Sequence, residues 1–557
     1  MAQEQDYKKS SRALFKYITK EKKDVTAIYI YAILSGLVQL SIPLGIQAIV
    51  SFVMGATMVT SLYILIGFVV LGTFLAGFFR VKVMQIIEKI QQKIFVEYAI
   101  AFAEKLPKID LSTSKKYYLP ELVNRFFDTQ NLQKGISKIL LEIPTALIQI
   151  LFGILLLSFY HPWFLVFGVI VIVIVIMIFS FTMASGIQSS LDESTRKYQV
   201  ASWLEDIAGA IKTFKINSKT EMHLSGTDER VMAYLENRTK HFKVLVFQYK
   251  TIIGFKVVIT LVMLAIGTYL LVNQKLNIGA FIATEIVVLN IMTAVEKLIK
   301  SLESYYDVVA SLVKLGKVTE LTEEHTENII LEPKLGGMEL AFKDVEFSFN
   351  DQKPILSNIN FNILPNTITL VTGSLGAGKS LLINMMAGFY DPSRGTVLFD
   401  KIPLRNLEKM SLRDHIGLYM DDMRIIKGTL QDNILLGRKD INTEDILELS
   451  EAIGLDNLSG SFTNGFNTQL SETDTEISFS AKKKILLLRA LLGDNRLLLM
   501  EDPLDGMNAA FCLKMVNFLK ELKERITIVI VSDAPALKAI ADQRLHLQNG
   551  TVDKIEI

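Results

Sequence analysis

Residues 373–380 read GSLGAGKS, a complete G-x-x-x-x-G-K-[ST] phosphate loop. The chemistry that such a run supports is the cradling of a polyphosphate. Backbone N–H groups of Gly373, Ser374, Leu375, Gly376, Ala377 and Gly378 are expected to face the anion. The Lys379 ammonium would reach the outer phosphates and the Ser380 hydroxyl would hold Mg2+. For this to work a strand must deliver the loop, and a following helix must point its positive end at the phosphates. The flanking residues meet both demands: ITLVT before the loop is apolar and strand-like, and Leu381 opens the helix-like run LLINMMAG. That context makes a chance match a poor explanation and predicts bound ATP and Mg2+.

The elements that carry this loop lie in a chain of 557 residues, 50% of them hydrophobic, with a mean hydropathy of +0.35. Those values lie above the soluble norm, so a membrane portion is expected. Six windows have the roughly 20 apolar residues that a spanning helix needs: 25–50, 59–84, 135–159, 162–185, 250–272 and 276–298. They fall in three close pairs whose connections, FVMGATMVTS, SFYHPW and VNQKLN, contain one lysine between them. The segments between pairs, 85–134 and 187–249, are rich in Lys, Arg and Glu, as is the N-terminal segment. The positive-inside rule therefore places both termini and both long segments in the cytoplasm. Runs such as FLVFGVIVIVIVIMIFSF are too uniformly apolar for a half-exposed helix of a soluble protein.

Two ionisable residues fall in these windows, Lys256 in the fifth and Glu285 in the sixth. Charge at membrane depth is costly, so each should face a cavity, a partner or an interface. For Lys256, near the cytoplasmic end of its span, an interhelical contact or a snorkelling head is favoured over a transport role. For Glu285 a translocation-path residue and a structural polar contact are both open.

Lys+Arg 59 against Asp+Glu 58 gives a formal charge of +1, and no nucleic-acid motif stands out, so nucleic acid is not an expected partner. The single cysteine, Cys512, supports neither a disulfide framework nor a thiolate metal cluster. The start of the chain is basic but has no short apolar segment with a cleavage site, and no signal peptide is expected. Residues 1–312 are therefore assigned to a membrane domain and the charged stretch 313–337, ending in Gly-Gly, to a linker. In 338–557, strand-like and helix-like runs alternate, the profile of an α/β nucleotide-binding domain.

Six spans with two long cytoplasmic segments, followed by a phosphate-loop domain of this length, resemble a half-transporter of the ATP-binding cassette exporter class over nearly the whole chain. The resemblance implies a multi-domain membrane protein: a six-helix α bundle followed by an α/β P-loop NTPase domain of the ABC type. DPSRGTVLFD, IIKGTLQDNILLG and RALLGDNRLLLMEDP are similar to the family's segments after the P-loop helix, after its glutamine loop and before its Walker B acids. By this register Phe349 in VEFSF stands where the family stacks an aromatic ring on adenine, a role that needs only a π-face. Asp421 stands in place of the loop glutamine that touches Mg2+ and the attacking water. Glu501 corresponds to the Mg2+-associated aspartate and Asp502 to the catalytic glutamate, a swapped pair anchored by Pro503. Asp533 replaces the switch histidine.

The family signature LSGGQ falls on ISFSA, Ile477 to Ala481. Phe479 and Ser480 replace the two glycines that let a helix N-terminus of the opposing subunit approach the γ-phosphate, so Ser478 keeps the one familiar donor, and the lead-in SETDTE lacks glycine. An Asp at the general-base position is one methylene short, and weakening a general base costs about 10²–10⁴ in rate. The resemblance therefore implies retained ATP binding with slow or absent hydrolysis.

Family members dimerise head to tail and pass nucleotide state to the membrane through coupling helices. The candidates here are STSKKYYLPELVNRFF (112–127) and LEDIAGAIKTFKI (204–216), with plain helical extension as the alternative reading. IPLGIQAIV and IGAFIATEIV look like the bacterial peptide and protein secretion branch, which implies the bacterial inner membrane and, as partners, a periplasmic adaptor and an outer-membrane channel. No cysteine precedes the first span, so no peptide processing is expected. Three readings stay open: an exporter subunit, homodimeric or paired with a second half-transporter; an ATP-binding scaffold or regulator that does not pump; and a P-loop enzyme merely anchored in the membrane. Six spans argue against the last, since an anchor needs one.

Overall fold

A computed structural model describes residues 14, 19–55, 60–114, 119–327, 329–349, 353–455, 464–471 and 478–556. The chain divides into two compact units, Met1–Lys108 with Lys116–Leu321, and Ile109–Lys115 with Thr322–Ile557.

The first unit is helical. Helix α1 (Lys22–Gln39) and α2 (Ser41–Met54) form one span, broken at Leu40. Pro43 explains the break, since it has no N–H to bond the Gln39 carbonyl. Helices α3 (Thr60–Lys105), α4 (Asp128–Tyr160), α5 (Pro162–Gly209), α6 (Met222–Val272) and α7 (Ile278–Thr319) supply the other five. Each expected window overlaps these helices, but residue 59 lies outside the described residues, 276–277 precede α7 and Leu40 interrupts the first span, and most of the helices run well past their windows. Much of the segments 85–134 and 187–249 is therefore helical continuation of the spans. Polar caps mark the tight turns: His161 Nδ1 accepts from Trp163 N (3.3 Å) with Pro162 at N1, and Asn277 Oδ1 accepts from Ala280 N (2.7 Å). Residues 313–319, at the start of the expected linker, are helical, because α7 carries its buried face on to Val318.

The core of this unit forms where α7 meets α4 and α5. Tyr306 is fully buried, its hydroxyl accepting from Gln248 Nε2 (2.9 Å) and donating to the Thr182 carbonyl (3.3 Å). Lys256 pairs with Glu296 on the neighbouring α7 (2.5 Å), and Lys300 shares that carboxylate (2.6 Å). The interhelical reading of Lys256 thus holds. Glu285 has one buried carboxylate oxygen without a hydrogen-bond partner among the described residues. The apolar windows stay largely uncovered: only 11% of each of the first two is buried, and only 28% of the fourth, which at a hydropathy of 3.3 is the most hydrophobic of the six. Water is a poor neighbour for such surfaces, and lipid is a good one.

Among the described residues the second unit contains three sheets. Strands β1 (Leu340–Phe347), β2 (Leu356–Ile363), β4 (Arg394–Phe399) and β5 (Ile402–Pro403) form an antiparallel sheet in the order β2-β1-β4-β5. The central sheet has the order β12-β11-β3-β10-β9-β6, from β3 (Ile368–Gly373), β6 (Ile416–Tyr419), β9 (Leu497–Glu501), β10 (Thr527–Val531), β11 (Gln543–Gln548) and β12 (Thr551–Glu556). All its pairings are parallel except β11 with β12. β7 (Gly428–Thr429) and β8 (Gln469–Leu470) make a small ribbon. LLLM in β9 and TIVIV in β10 are wholly buried, the continuous apolar runs that a parallel sheet covered on both faces demands. Helices α8 (Lys379–Met386), α9 (Phe479–Leu491) and α10 (Ala509–Leu522) pack among them.

Candidate nucleotide site

In a parallel sheet, loops at the carboxyl ends of the strands meet along one edge. Register makes this concrete: Val531 lies opposite both Glu501 and Val371, and Tyr419 lies opposite Met500. The phosphate loop after β3, Asp421 after β6, Glu501 and Asp502 at the end of β9, and Asp533 after β10 therefore share that edge.

The loop has the backbone that close phosphate approach requires. Gly373, Gly376 and Gly378 have φ of 148°, 80° and 98°. At Gly373 a Cβ would stand 2.1 Å from the Leu547 carbonyl oxygen of β11, so glycine is obligatory there. Ala377 is buried, while Ser374, Leu375 and Gly376 stand exposed at the tip. Gly378 caps α8, and Leu381 lies in its first turn. Lys379 Nζ donates to the carbonyls of Gly373 (2.6 Å) and Ser374 (3.1 Å), which keeps its charge at the mouth of the loop.

Ser380 Oγ donates to Glu501 Oε1 at 2.5 Å. A hydroxyl and a carboxylate side by side at a helix N-terminus are the donor set a hard cation beside phosphates requires. Burial raises the Glu501 pKa first of all, the Ser380 hydrogen bond opposes that, and the negative charges of Asp421, Asp502 and Asp422 raise it further. Asp502 sits at φ 42°, an uncommon conformation for a residue other than glycine, and its N–H donates to the Val531 carbonyl (2.9 Å). Asp533 is exposed.

Other expected residues are placed differently. Phe349 lies two residues beyond β1, edge-on to Phe347 (4.8 Å between ring centroids) and Tyr390 (5.7 Å). It lines a cavity of about 390 Å³ with Phe389, Asp391 and Lys409, and none of residues 373–381 lines that cavity. Ser478 is the N-cap of α9, its Oγ accepting from Ala481 N (3.1 Å). Phe479, 68% exposed, and Ser480 occupy the first turn. Ile477 and most of SETDTE lie outside the described residues. Of the coupling candidates, Leu111–Ser114 folds with the second unit, Leu111 packing on its core, whereas Ile211–Ile216 is a short helix of the first unit with Ile216 exposed.

Two residues of this edge escape sequence reasoning. The buried Lys483 Nζ donates to Asp505 Oδ2 (3.1 Å) and the Asp505 carbonyl (3.0 Å), lies 3.8 Å from Asp421 Oδ1 and sits 5.0 Å from the Phe479 ring centroid. It answers the negative charge that Asp421 introduces. Nothing in the run KKK (482–484) marks its middle residue, since only the helix phase turns that one inward. Tyr419, 1% exposed, has a hydroxyl without a hydrogen-bond partner among the described residues. Burial and the charges of Asp421, Asp505 and Asp502 push its pKa up.

A phosphate loop on a parallel sheet, joined in one chain to six membrane-length helices, defines a nucleotide-dependent membrane transporter class. The chain belongs to the ABC transporters: the profile for the ABC transporter transmembrane region matches residues 25–294 and that for the ABC transporter domain residues 356–505. It carries the membrane and ATP-binding parts of an exporter half-transporter, and the nucleotide-binding domain implies ATP binding.

Among curated proteins it is 24% identical to the uncharacterized ABC transporter ATP-binding protein YknV of Bacillus subtilis over 78% of this chain and 74% of that protein. It is 22% identical to the mesentericin-Y105 transport/processing ATP-binding protein MesD of Leuconostoc mesenteroides over 98% of this chain and 76% of that one. It spans about half the length of several other curated relatives. Its fold is similar to that of a bacterial Atm1-family ABC exporter with ATP bound, with a TM-score of 0.83 at 16% identity over 96% of this chain and 95% of that one.

Proposed function

We propose that this chain is one half of a dimeric exporter of the bacterial inner membrane, with its nucleotide-binding unit in the cytoplasm, that binds ATP with Mg2+ and hydrolyses it slowly. The observation that carries the reading is the contrast along one sheet edge. The loop, Lys379 and the Ser380–Glu501 pair are assembled for binding. The groups that should act on water and γ-phosphate are Asp502, Asp533 and Asp421, all acids. Three acids around a triphosphate oppose the charge that develops in phosphoryl transfer. Glu501 and Ser380 would hold Mg2+, whose charge would offset that of the outer phosphates, and Phe349, in a cavity that the loop does not line, is the ring that the family resemblance assigns to adenine.

Cargo of peptide or protein character is supported by the likeness to MesD, a mesentericin-Y105 transport/processing ATP-binding protein; a periplasmic adaptor and an outer-membrane channel are the partners that the resemblance to the secretion branch implies. Phe479, 68% exposed on the first turn of α9, favours slow turnover on the signature side too, because a ring there would hinder the close approach of backbone N–H to phosphate that glycine allows. Nucleotide binding and phosphate release by the purified full-length chain test the proposal. Tight binding lost in Lys379→Ala, with release about 10²-fold or more below that of an ordinary exporter, is expected. Ordinary turnover would overturn it. Cargo flux in proteoliposomes with and without ATP separates an exporter from a scaffold that does not pump.

A further inference from the structure

The first unit holds a cavity with charged groups in its wall that the nucleotide chemistry does not use. It has a volume of about 50 Å³, and Gln39 of α1, Arg80 of α3, Glu142 and Gln149 of α4 and Lys297 of α7 stand in its wall beside apolar side chains such as Leu141. Four spans thus contribute, and all of these residues fall inside the windows read as membrane-embedded.

The charges there do not balance. Glu142 is the one acid of the lining, and its Oε2 accepts from Ser301 Oγ at 3.2 Å. Neither the Arg80 guanidinium nor the Lys297 ammonium has an ion pair or hydrogen bond among the described residues. Gln149 Nε2 donates to Gln39 Oε1 at 2.8 Å, so that part of the wall is satisfied internally. Two cations against one carboxylate leave the cavity one positive charge in excess, at a depth where uncompensated charge is costly. A single negative charge is what the site lacks.

Depth identifies the source of that charge. At 1.5 Å per residue, Arg80 lies ~6 Å and Glu142 ~10 Å inside the cytoplasmic ends of their windows, and Lys297 lies at the end of its own. Arg80 and Lys297, within ~6 Å of those ends, adjoin the boundary between headgroups and acyl chains of the inner leaflet, where long basic side chains can reach a lipid phosphate and a basic pocket between spans can take it. The same helices leave Ile33 and Leu37 of α1 and Phe74 and Phe78 of α3 exposed, an apolar continuation suited to acyl tails.

We propose that this cavity binds the phosphodiester headgroup of an anionic inner-leaflet phospholipid, with Arg80 and Lys297 holding the phosphate and Glu142 setting the net charge to one. The inference does not depend on hydrolysis or cargo and is tested without nucleotide. Native mass spectrometry of the detergent-purified full-length chain, titrated with phosphatidylglycerol or phosphatidylcholine, reads retained lipid. A roughly five- to tenfold preference for phosphatidylglycerol is expected. It should be lost in the Arg80→Gln/Lys297→Gln double variant and kept or strengthened in Glu142→Gln.

Lys82→Gln removes a neighbouring cation of α3 that does not line the cavity and should keep the preference. Equal retention of the two lipids, an unchanged preference in the double variant, or an equal loss in Lys82→Gln would each overturn the proposal. So would full displacement of the lipid by millimolar inorganic phosphate or by a soluble acidic peptide, since the site would then recognise a free anion or a cargo carboxylate. Size-exclusion profiles of the variants separate lost binding from lost folding, and Glu142→Gln, expected to retain lipid, keeps the proposal exposed if the double variant misfolds.

Discussion

Glu501 meets two opposing demands. It must be ionised to hold a cation, yet burial and the charges of Asp421, Asp502 and Asp422 favour its neutral form. A carboxyl whose folded pKa is raised contributes stability that is complete below its unfolded value near 4.5 and is lost as pH rises through the folded value. Glu501→Gln removes that loss. The variant should therefore melt higher than the parent at pH 7–8 without nucleotide, with the gap closing as pH falls towards 4.5, read by thermal unfolding of the detergent-purified chain. With ATP and Mg2+ present the order should reverse, because Gln cannot supply the charge that a divalent cation needs. A gap that is independent of pH would mean that Glu501 is not titrating in this way.

At the scale of elements, close approach of helices decides the first unit. A Cβ at Gly186 of α5 would stand 2.2 Å from the Tyr306 ring of α7, and that ring is fixed by Gln248 and Thr182. Gly77 of α3 has nothing within 4 Å of the same test position. Gly186→Leu should therefore destabilise the chain by about 1–3 kcal/mol or prevent its folding, whereas Gly77→Leu should be nearly neutral. Melting temperatures and size-exclusion profiles of the two variants check this. In the second unit the element that matters is the parallel sheet. It places acids from three loops beside the phosphate loop, although Asp421 and Asp533 are more than a hundred residues apart in the chain.

On the scale of the whole molecule, the proposed dimer joins the Walker residues of one copy to the signature of the other. Both faces are altered in this chain, so repairing one leaves every site of a homodimer with the other defect. Glu501→Asp, Asp502→Glu and Asp533→His together should raise phosphate release only a little, as should Phe479→Gly with Ser480→Gly. The five together should exceed the product of the two gains, as expected for groups that act as a unit. Multiplicative gains would indicate that the two faces do not share a site.

The sequence by itself determined the six spans, the phosphate loop and the order of domains, because each rests on local pattern: about 20 apolar residues in a row, or eight residues of fixed type. Pro503 and the flanking strands also give Glu501 and Asp502 their place at the end of β9, while the swapped roles stay part of the proposal. What only the tertiary structure decided are the matters that need two distant segments. The Lys256–Glu296 pair, the ammonium of Lys483 beside Asp505 and Asp421, the Tyr419 hydroxyl with no partner among the described residues, and the convergence of Arg80, Glu142 and Lys297 are all of this kind. Hydropathy averages a charge into its window, and a single Lys or Tyr carries no local sign of what it will face. Helix phase and strand register settle that, and both are fixed only when the elements pack.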